Sequence, residues 1–242
     1  MSNLVLDFGN TRTKLALYKV DKLESLQIFD QLSLKGLLDA LVTHAVQRTI
    51  FSVTGNPQPE VLEFLKRELL AIEMSSLTPV PIKNLYKTPE TLGKDRLAAV
   101  LGAHALFPKE NCLVVDAGTC ITYDWLSRHG EYLGGNIAPG LRMRLQAMHH
   151  FTSKLPLVAP SEEQPGAVGY STESAIQFGA AYGMLQEVKG YARWGQKHFG
   201  PVKTVLTGGD AEFFGSYLKR KIFVRPDLVL FGLNKILQFN VN

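Results

Sequence analysis

Cysteine is nearly absent from this chain: the 242 residues hold two, Cys112 and Cys120. Two cysteines cannot build the disulfide framework of a small secreted domain, and neither has the closely spaced ligand partners of a zinc site. Both fall in or beside an apolar stretch, so reduced, structural thiols are expected. Long apolar runs are missing too. None approaches the ~20 residues that a membrane helix needs, and Met1-Ser2-Asn3-Leu4 shows neither a basic nor an apolar leader pattern. A cytoplasmic protein with no membrane partner is the expectation. A large excess of one charge is lacking as well, with a formal net charge of +4. The basic residues are scattered, and the densest run, Lys219-Arg220-Lys221, reads as a solvated helix end. A nucleic-acid binder usually shows a basic stripe or patch, so no nucleic-acid partner is expected. The one histidine pair, His149-His150, is adjacent in sequence, and adjacent residues do not share a helix face. No Walker loop and no Gly-x-Gly-x-x-Gly fingerprint opens a helix, which disfavours the P-loop and Rossmann folds.

What remains is an ordinary globular composition. With 45% hydrophobic and 20% charged residues, the chain can bury a real core. The pattern predicts a strand at Leu4-Val5-Leu6, a polar turn from Asp7 to Arg12, and a second strand from Thr13 to Val20. Helices are predicted over 34–45, 60–72 and 95–107, with a strand from Arg48 to Val53 and an irregular stretch from Lys83 to Gly93. The order then restarts: a strand at Cys112–Val115, a turn from Asp116 to Cys120, and a strand from Ile121 to Leu126. A Gly/Pro loop is expected over 134–140, and helices over 141–151, 174–191 and 228–238. Strands are expected at Val202–Leu206 and Ile222–Val224.

The restart is an internal repeat. Leu4-Val5-Leu6-Asp7-Phe8-Gly9-Asn10-Thr11 aligns with Leu113-Val114-Val115-Asp116-Ala117-Gly118-Thr119, with Asn10 as the extra residue. Two related α/β lobes, residues 1–110 and 111–242, explain it better than one continuous sheet. The chemistry of the turn follows from its residue types. Gly9 has no Cβ and admits close approach of a ligand to the backbone. Asn10 and Thr11 offer donors to phosphate oxygens, and Lys14 on the next strand can meet phosphate charge. Asp7, at a strand end, can orient a hydrated Mg²⁺, which usually takes only one or two carboxylates. One such turn alone reads as a plain hairpin connection; the second copy, at Asp116, points to two turns gripping a polyphosphate across a cleft. Thr207-Gly208-Gly209 follows another strand and can pack flat against a purine or ribose, although a strand-to-helix turn accounts for it equally.

Two hairpin phosphate turns and a late Gly-Gly element resemble the superfamily of actin, sugar kinases and heat-shock chaperone ATPases. The chain also carries, in this order, Asp7-x-Gly9-Asn10-Thr11-x-x-Lys14, Gly93-Lys94-Asp95-Arg96, Asp116-x-Gly118-Thr119-x-x-Thr122, Gly134-Gly135-x-Ile137-x-Pro139-Gly140 and Thr207-Gly208-Gly209. By these residues it is similar, within that superfamily, to the type III pantothenate kinases. These occur in the family's order and span nearly the whole chain. Cys120 stands where Ala is usual, and Ser171 where Asn is common. The resemblance implies an α/β fold of two RNase H-like lobes with a nucleotide cleft between them. It implies phosphorylation of pantothenate by ATP to 4′-phosphopantothenate, the first step of coenzyme A synthesis, by a homodimer.

The same resemblance assigns residues. Asp95 falls on the proton acceptor, while Tyr86, Gly93, Lys94, Asp95, Arg96 and Thr172 fall on pantothenate contacts. Residues Asp7, Phe8, Gly9, Asn10, Thr11, Arg12, Thr13, Lys14 and Thr119 fall on the ATP site. Asp116 falls on the ligand of a monovalent cation, K⁺ or NH4⁺, and Asp7 is the candidate for Mg²⁺. Each has a plainer alternative: a dipole-favoured helix start for Asp95, a surface ion pair for Arg96, a core aromatic for Tyr86, a helix N-cap for Thr172. A rival function is a non-catalytic ATP-binding regulator or transcription accessory protein of the same fold. The presence of Asp95, Arg96 and Thr172 speaks against it.

Overall fold

The computed structural model describes residues 2–218 and 222–241, so the Lys219-Arg220-Lys221 run lies outside the described residues. In chain order the elements are β1 (Ser2–Phe8), β2 (Thr13–Lys19), β3 (Lys22–Phe29), α1 (Leu34–Leu41), β4 (Val46–Val53), α2 (Pro59–Arg67), β5 (Ile72–Glu73) and β6 (Lys83–Asn84). There follow α3 (Lys94–Leu106), β7 (Asn111–Ala117), β8 (Cys120–Leu126), β9 (Glu131–Pro139), α4 (Leu141–His150) and α5 (Thr172–Phe199). The last are β10 (Val202–Thr207), α6 (Ala211–Tyr217), β11 (Ile222–Val224) and α7 (Leu228–Asn240). This is an α/β fold built on two mixed sheets. Its chain divides into two units: residues 1–109, 129–133 and 227–242 in the first, and 110–128 and 134–226 in the second.

In the first unit the sheet order is β3-β2-β1-β4-β5. β1 pairs antiparallel with β2 and parallel with β4, so the strand carrying Asp7 lies at the centre. Alternate side chains of these strands, Leu4, Leu6, Phe8, Leu15, Leu17 and Phe51, fill one core with Leu37 of α1 and Val61 and Leu65 of α2. Residues 227–241 were expected in the C-terminal lobe; they belong instead to the first unit. Helix α7 is apolar on most of its surface and buries Leu228, Leu230, Leu233 and Ile236 there. Its polar groups find partners in the same unit. Asn234, fully buried, accepts from Asn3 Nδ2 at 2.8 Å and donates to the Val20 carbonyl at 2.7 Å. The Tyr18 hydroxyl donates to Asp227 at 2.9 Å. Helices α3 and α7 meet through glycine: a Cβ on Gly232 would lie 1.8 Å from the Ala98 carbonyl oxygen.

The second unit repeats the arrangement. β7 pairs antiparallel with β8 and parallel with β10, and β11 extends the sheet beyond β10. Helices α4 and α5 bury Leu141, Leu145, Ile176 and Met184 over Leu113, Val115 and Tyr123. A polar brace joins these helices: Arg144 makes two hydrogen bonds to the Glu187 carboxylate, both 2.7 Å, and Tyr123 donates to the same group at 2.9 Å. Burial pushes the Glu187 carboxyl up, but the bonds from Arg144 and Tyr123 outweigh it and hold the group below its ordinary range.

Several elements differ from the sequence expectation. The Gly/Pro loop expected over 134–140 is strand as far as Pro139, because Gly135 lets β9 lie close on Tyr123 and Asp124, where a Cβ would come within 2.2 Å of the Tyr123 carbonyl. β3 was not expected, while α6 follows Gly208-Gly209 as the strand-to-helix alternative had it. The helix expected from Ser174 to Tyr191 begins at Thr172 and runs to Phe199, since its cap lies at Ser171 and no Pro interrupts it. The helices expected over 34–45 and 60–72 end at Leu41 and Arg67.

Candidate active site

The register of the strands places the first Asp-x-Gly turn. Across the β1–β2 hairpin Asp7 faces Lys14, and across the parallel pair β1–β4 it faces Ser52. In the second unit Asp116 faces Thr122 across the hairpin and Thr207 across β7–β10. The two aspartates therefore hold the same place in the two strand sets. The one-residue difference lies in the turn itself: Gly9 N–H donates to the Arg12 carbonyl, and Gly118 N–H to the Cys120 carbonyl.

Asp7 is buried, and its environment is electrically tense. Burial pushes its carboxyl from the ordinary 3.8 up to about 6. The Ser52 hydroxyl donates to Oδ1 at 2.6 Å and opposes this, Asp95 adds like-charge repulsion, and Lys14 offsets part of that repulsion. Asp7, Lys14 and Asp95 are thus brought together within one unit. Phe8 and Thr13 are also buried, Phe8 edge-to-face on Phe51, so any ligand contact of theirs is made by backbone. Gly9 is partly exposed, and Asn10, Thr11 and Arg12 are exposed, with Arg12 in a 3.8 Å surface ion pair to Asp30 that adds little stability.

A residue that sequence reasoning missed fixes this turn from behind. Thr54 and Gly55 N–H both donate to the Phe8 carbonyl at 2.9 Å. A Cβ on Gly55 would sit 2.1 Å from the Gly9 carbonyl oxygen, so only glycine lets β4's end lie against the turn. The second unit has a counterpart in the Gly pair after β10. Gly208, at φ +96°, lies against the second turn, where a Cβ would meet the Ala117 carbonyl oxygen and Asp116 Oδ1 at 2.4 Å. The Asp210 N–H then donates to the Ala117 carbonyl at 3.0 Å. A Thr-Gly at the end of the strand that runs parallel to each aspartate's strand, Thr54-Gly55 for β4 and Thr207-Gly208 for β10, was the signal available in the sequence.

Asp95 and Arg96 open α3. Gly93 is the N-cap, and a Cβ there would come 2.5 Å from Asp95 Oδ1, so the glycine leaves room for the carboxylate. The same Oδ1 accepts from Arg96 N–H at 2.8 Å, which fixes the carboxylate at the positive end of the helix. Lys94, the first helical residue, is partly exposed. Arg96 is only 6% exposed, which excludes a surface ion pair; its guanidinium lies 5.6 Å from the centroid of the Tyr86 ring. Tyr86 is half-buried and stacks on Tyr132, centroids 6.0 Å apart.

On the second unit, Asp116 is half-buried and Thr119 exposed in the turn, backed by Gly140, whose N–H donates to the Thr119 carbonyl at 3.1 Å. Thr172 is exposed at the first position of α5, and it is not the N-cap. Ser171 takes that place in a capping box with Ser174, so the Thr172 hydroxyl is not used in capping. Of the cysteines, burial pushes the Cys112 thiol up to about 12, an unreactive group. Among the described residues, no three His, Cys, Asp or Glu side chains gather as a metal site, and no helix is long and apolar enough to cross a membrane.

Comparison with known proteins agrees with the motifs. Residues 3–193 match the family model for type III pantothenate kinase. A type III pantothenate kinase of Porphyromonas gingivalis is 41% identical over 243 residues, covering 99% of each chain. That of Phocaeicola vulgatus is 44% identical over 241 residues, covering 98% of each. Among solved structures, a Campylobacter jejuni protein described as a Baf family transcriptional activator superposes with TM-score 0.64 at 24% identity, over 98% of each chain. A ROK family protein of Streptococcus pneumoniae in complex with sucrose superposes with TM-score 0.53 at 16% identity, over 99% of each. Those two likenesses bear on the fold alone. The full-length relatives and the family model make the chain a member of the type III pantothenate kinase family.

Proposed function

We propose that the chain transfers the γ-phosphoryl group of ATP to the primary hydroxyl of pantothenate, with Asp95 as proton acceptor. The observation that carries this is the pairing of Asp95 with Asp7 in one unit, the first fixed at a helix start and the second in a phosphate-type turn. In the transfer, the bond from the γ-phosphorus to the ADP oxygen breaks as the hydroxyl oxygen bonds to phosphorus. The hydroxyl proton passes to the Asp95 carboxylate. Such reactions run through a loose transition state, so the protein's part is mostly positioning and charge stabilisation.

The first turn, from Asp7 to Lys14, would hold phosphate oxygens through the Gly9, Asn10 and Thr11 backbone, the exposed polar side chains and the Lys14 ammonium. Thr119 would add an ATP contact from the second turn. Tyr86, Gly93, Lys94, Arg96 and Thr172 would bind pantothenate, with the Arg96 fork suited to its carboxylate. A divalent cation fits beside Asp7: a buried carboxylate repelled by Asp95 gains from it, and Mg²⁺ needs no more than one or two carboxylates. Bound there, it would neutralise charge on the phosphates. Asp116 would hold the monovalent cation, K⁺ or NH4⁺. The family's homodimer and a cytoplasmic location complete the reading.

The test is ADP release measured against a panel of small alcohols, with Mg²⁺ and potassium present. Pantothenate is expected to give the highest kcat/KM, and mass spectrometry to find the phosphate on its primary hydroxyl. A better acceptor elsewhere in the panel refutes the assignment.

A further inference from the structure

We infer that Tyr132 is a positioning residue for the acceptor, acting through Tyr86 on Arg96. The inference rests on the reading that Tyr86 and Arg96 bind pantothenate. Tyr132 belongs to none of the motifs, and its ring is fully buried at the head of β9. Two contacts meet on the Tyr86 ring. Tyr132 stacks on Tyr86 with ring planes 29° apart and centroids 6.0 Å apart. The Arg96 guanidinium lies 5.6 Å from the Tyr86 centroid, within the ~6 Å reach of a cation–π contact.

The backbone holds Tyr86 in place. Asn84 pairs with Tyr132 in the β6–β9 ladder, and Leu85 N–H donates to the Tyr132 carbonyl at 2.9 Å. Lys83 N–H donates to the Gly130 carbonyl at 2.8 Å. Tyr86 N–H donates to the Asn84 side-chain oxygen at 3.0 Å, which sets the direction in which the Tyr86 ring leaves the chain. The irregular segment before α3 is therefore clipped to β9 by its main chain, and Tyr132 gives the Tyr86 ring a rigid floor. Arginine carries much rotamer freedom, and a fork that is already oriented loses less of it on binding a carboxylate. Tyr132 thus acts on affinity for the acceptor and leaves the nucleotide side untouched.

Steady-state kinetics on three variants tests this. Tyr132→Leu removes the ring and is expected to raise KM for pantothenate about five- to tenfold, the scale of one aromatic pair, with KM for ATP nearly unchanged. Tyr132→Phe keeps the ring and returns KM for pantothenate toward the wild-type value. In a Tyr86→Leu background, adding Tyr132→Leu changes KM for pantothenate no further, because the second residue acts through the first. An unchanged pantothenate KM in Tyr132→Leu, equal rises in both KM values, or additive effects in the double variant would overturn the inference. Should Tyr132→Leu not fold, Asn84→Ala frees Tyr86 from its other tether and carries the same expectation and the same refutation. If Tyr86→Leu and Arg96→Met leave the pantothenate KM unchanged, the acceptor reading itself fails and this inference with it. If they raise it and Tyr132→Leu does not, only the role of Tyr132 fails.

Discussion

Asp7→Asn should stabilise the ligand-free protein while destroying its activity, and the gain should depend on pH in a defined way. Asp7 is buried, and its carboxyl is pushed from 3.8 to about 6 by burial and by Asp95, against the pull of Ser52 and Lys14. The folded chain thus holds the Asp7 proton more tightly than the unfolded chain does. Below 3.8 the group is protonated in both states and costs nothing. As pH rises toward 6 the unfolded state ionises first, so stability falls; above 6 the full penalty applies. A shift from 3.8 to about 6 corresponds to about 3 kcal/mol. An asparagine can still accept the Ser52 hydrogen bond but never ionises. Urea unfolding of both proteins in EDTA, at intervals from pH 4 to 8, should show the variant's advantage growing through the interval from 3.8 to about 6 and level above it. The growth should be about 3 kcal/mol, on top of any pH-independent offset from the substitution. A difference between the two proteins that does not change with pH refutes the claim that Asp7 carries a burial-raised carboxyl.

Two further substitutions follow from close backbone contacts. Gly55→Ala would place a Cβ 2.1 Å from the Gly9 carbonyl oxygen and must push the phosphate turn aside. We expect kcat/KM for ATP to fall on the order of 10²-fold, with pantothenate binding by calorimetry retained; unchanged ATP kinetics would deny the turn its role. Gly232→Ala would place a Cβ 1.8 Å from the Ala98 carbonyl, where α7 crosses the helix that carries Asp95. Overpacking of this kind costs about 1–3 kcal/mol, read as a lower urea midpoint, and a midpoint equal to wild type would show that the crossing is looser than described.

The two turns were legible because they depend on local chemistry at strand ends. The repeated Asp-x-Gly turns fix their own strands, and the register shows the first turn to be one residue longer than the second, since Asp7 faces Lys14 and Asp116 faces Thr122. Gly93 to Arg96 were picked out only by the resemblance to the kinase family, because a dipole-favoured helix start accounts for Asp95 equally well on local grounds. What escaped depends on partners distant in sequence. Gly55 looked like an ordinary turn glycine until the Gly9 backbone was found against it. Nothing near residue 232 announces that α7 packs with the first unit; the partners of Asn234 are Asn3 and Val20, at the other end of the chain. The strand over Gly134 and Gly135 defeated local propensity because glycine there serves close approach to Tyr123 rather than a turn. The raised carboxyl of Asp7 comes first from burial, with Asp95 adding repulsion and Ser52 opposing both, and no sequence window joins these residues.

The central claim is that Asp95 accepts the proton from pantothenate. Turnover by wild type and Asp95→Asn, measured as pantothenate-dependent ADP release with pantothenate affinity followed by calorimetry, tests it most directly. The account predicts clear turnover by wild type and a loss of ~10²–10⁴-fold in kcat for the variant, with pantothenate still bound. Normal turnover by Asp95→Asn, or a wild type that releases no ADP when pantothenate is added, would contradict it.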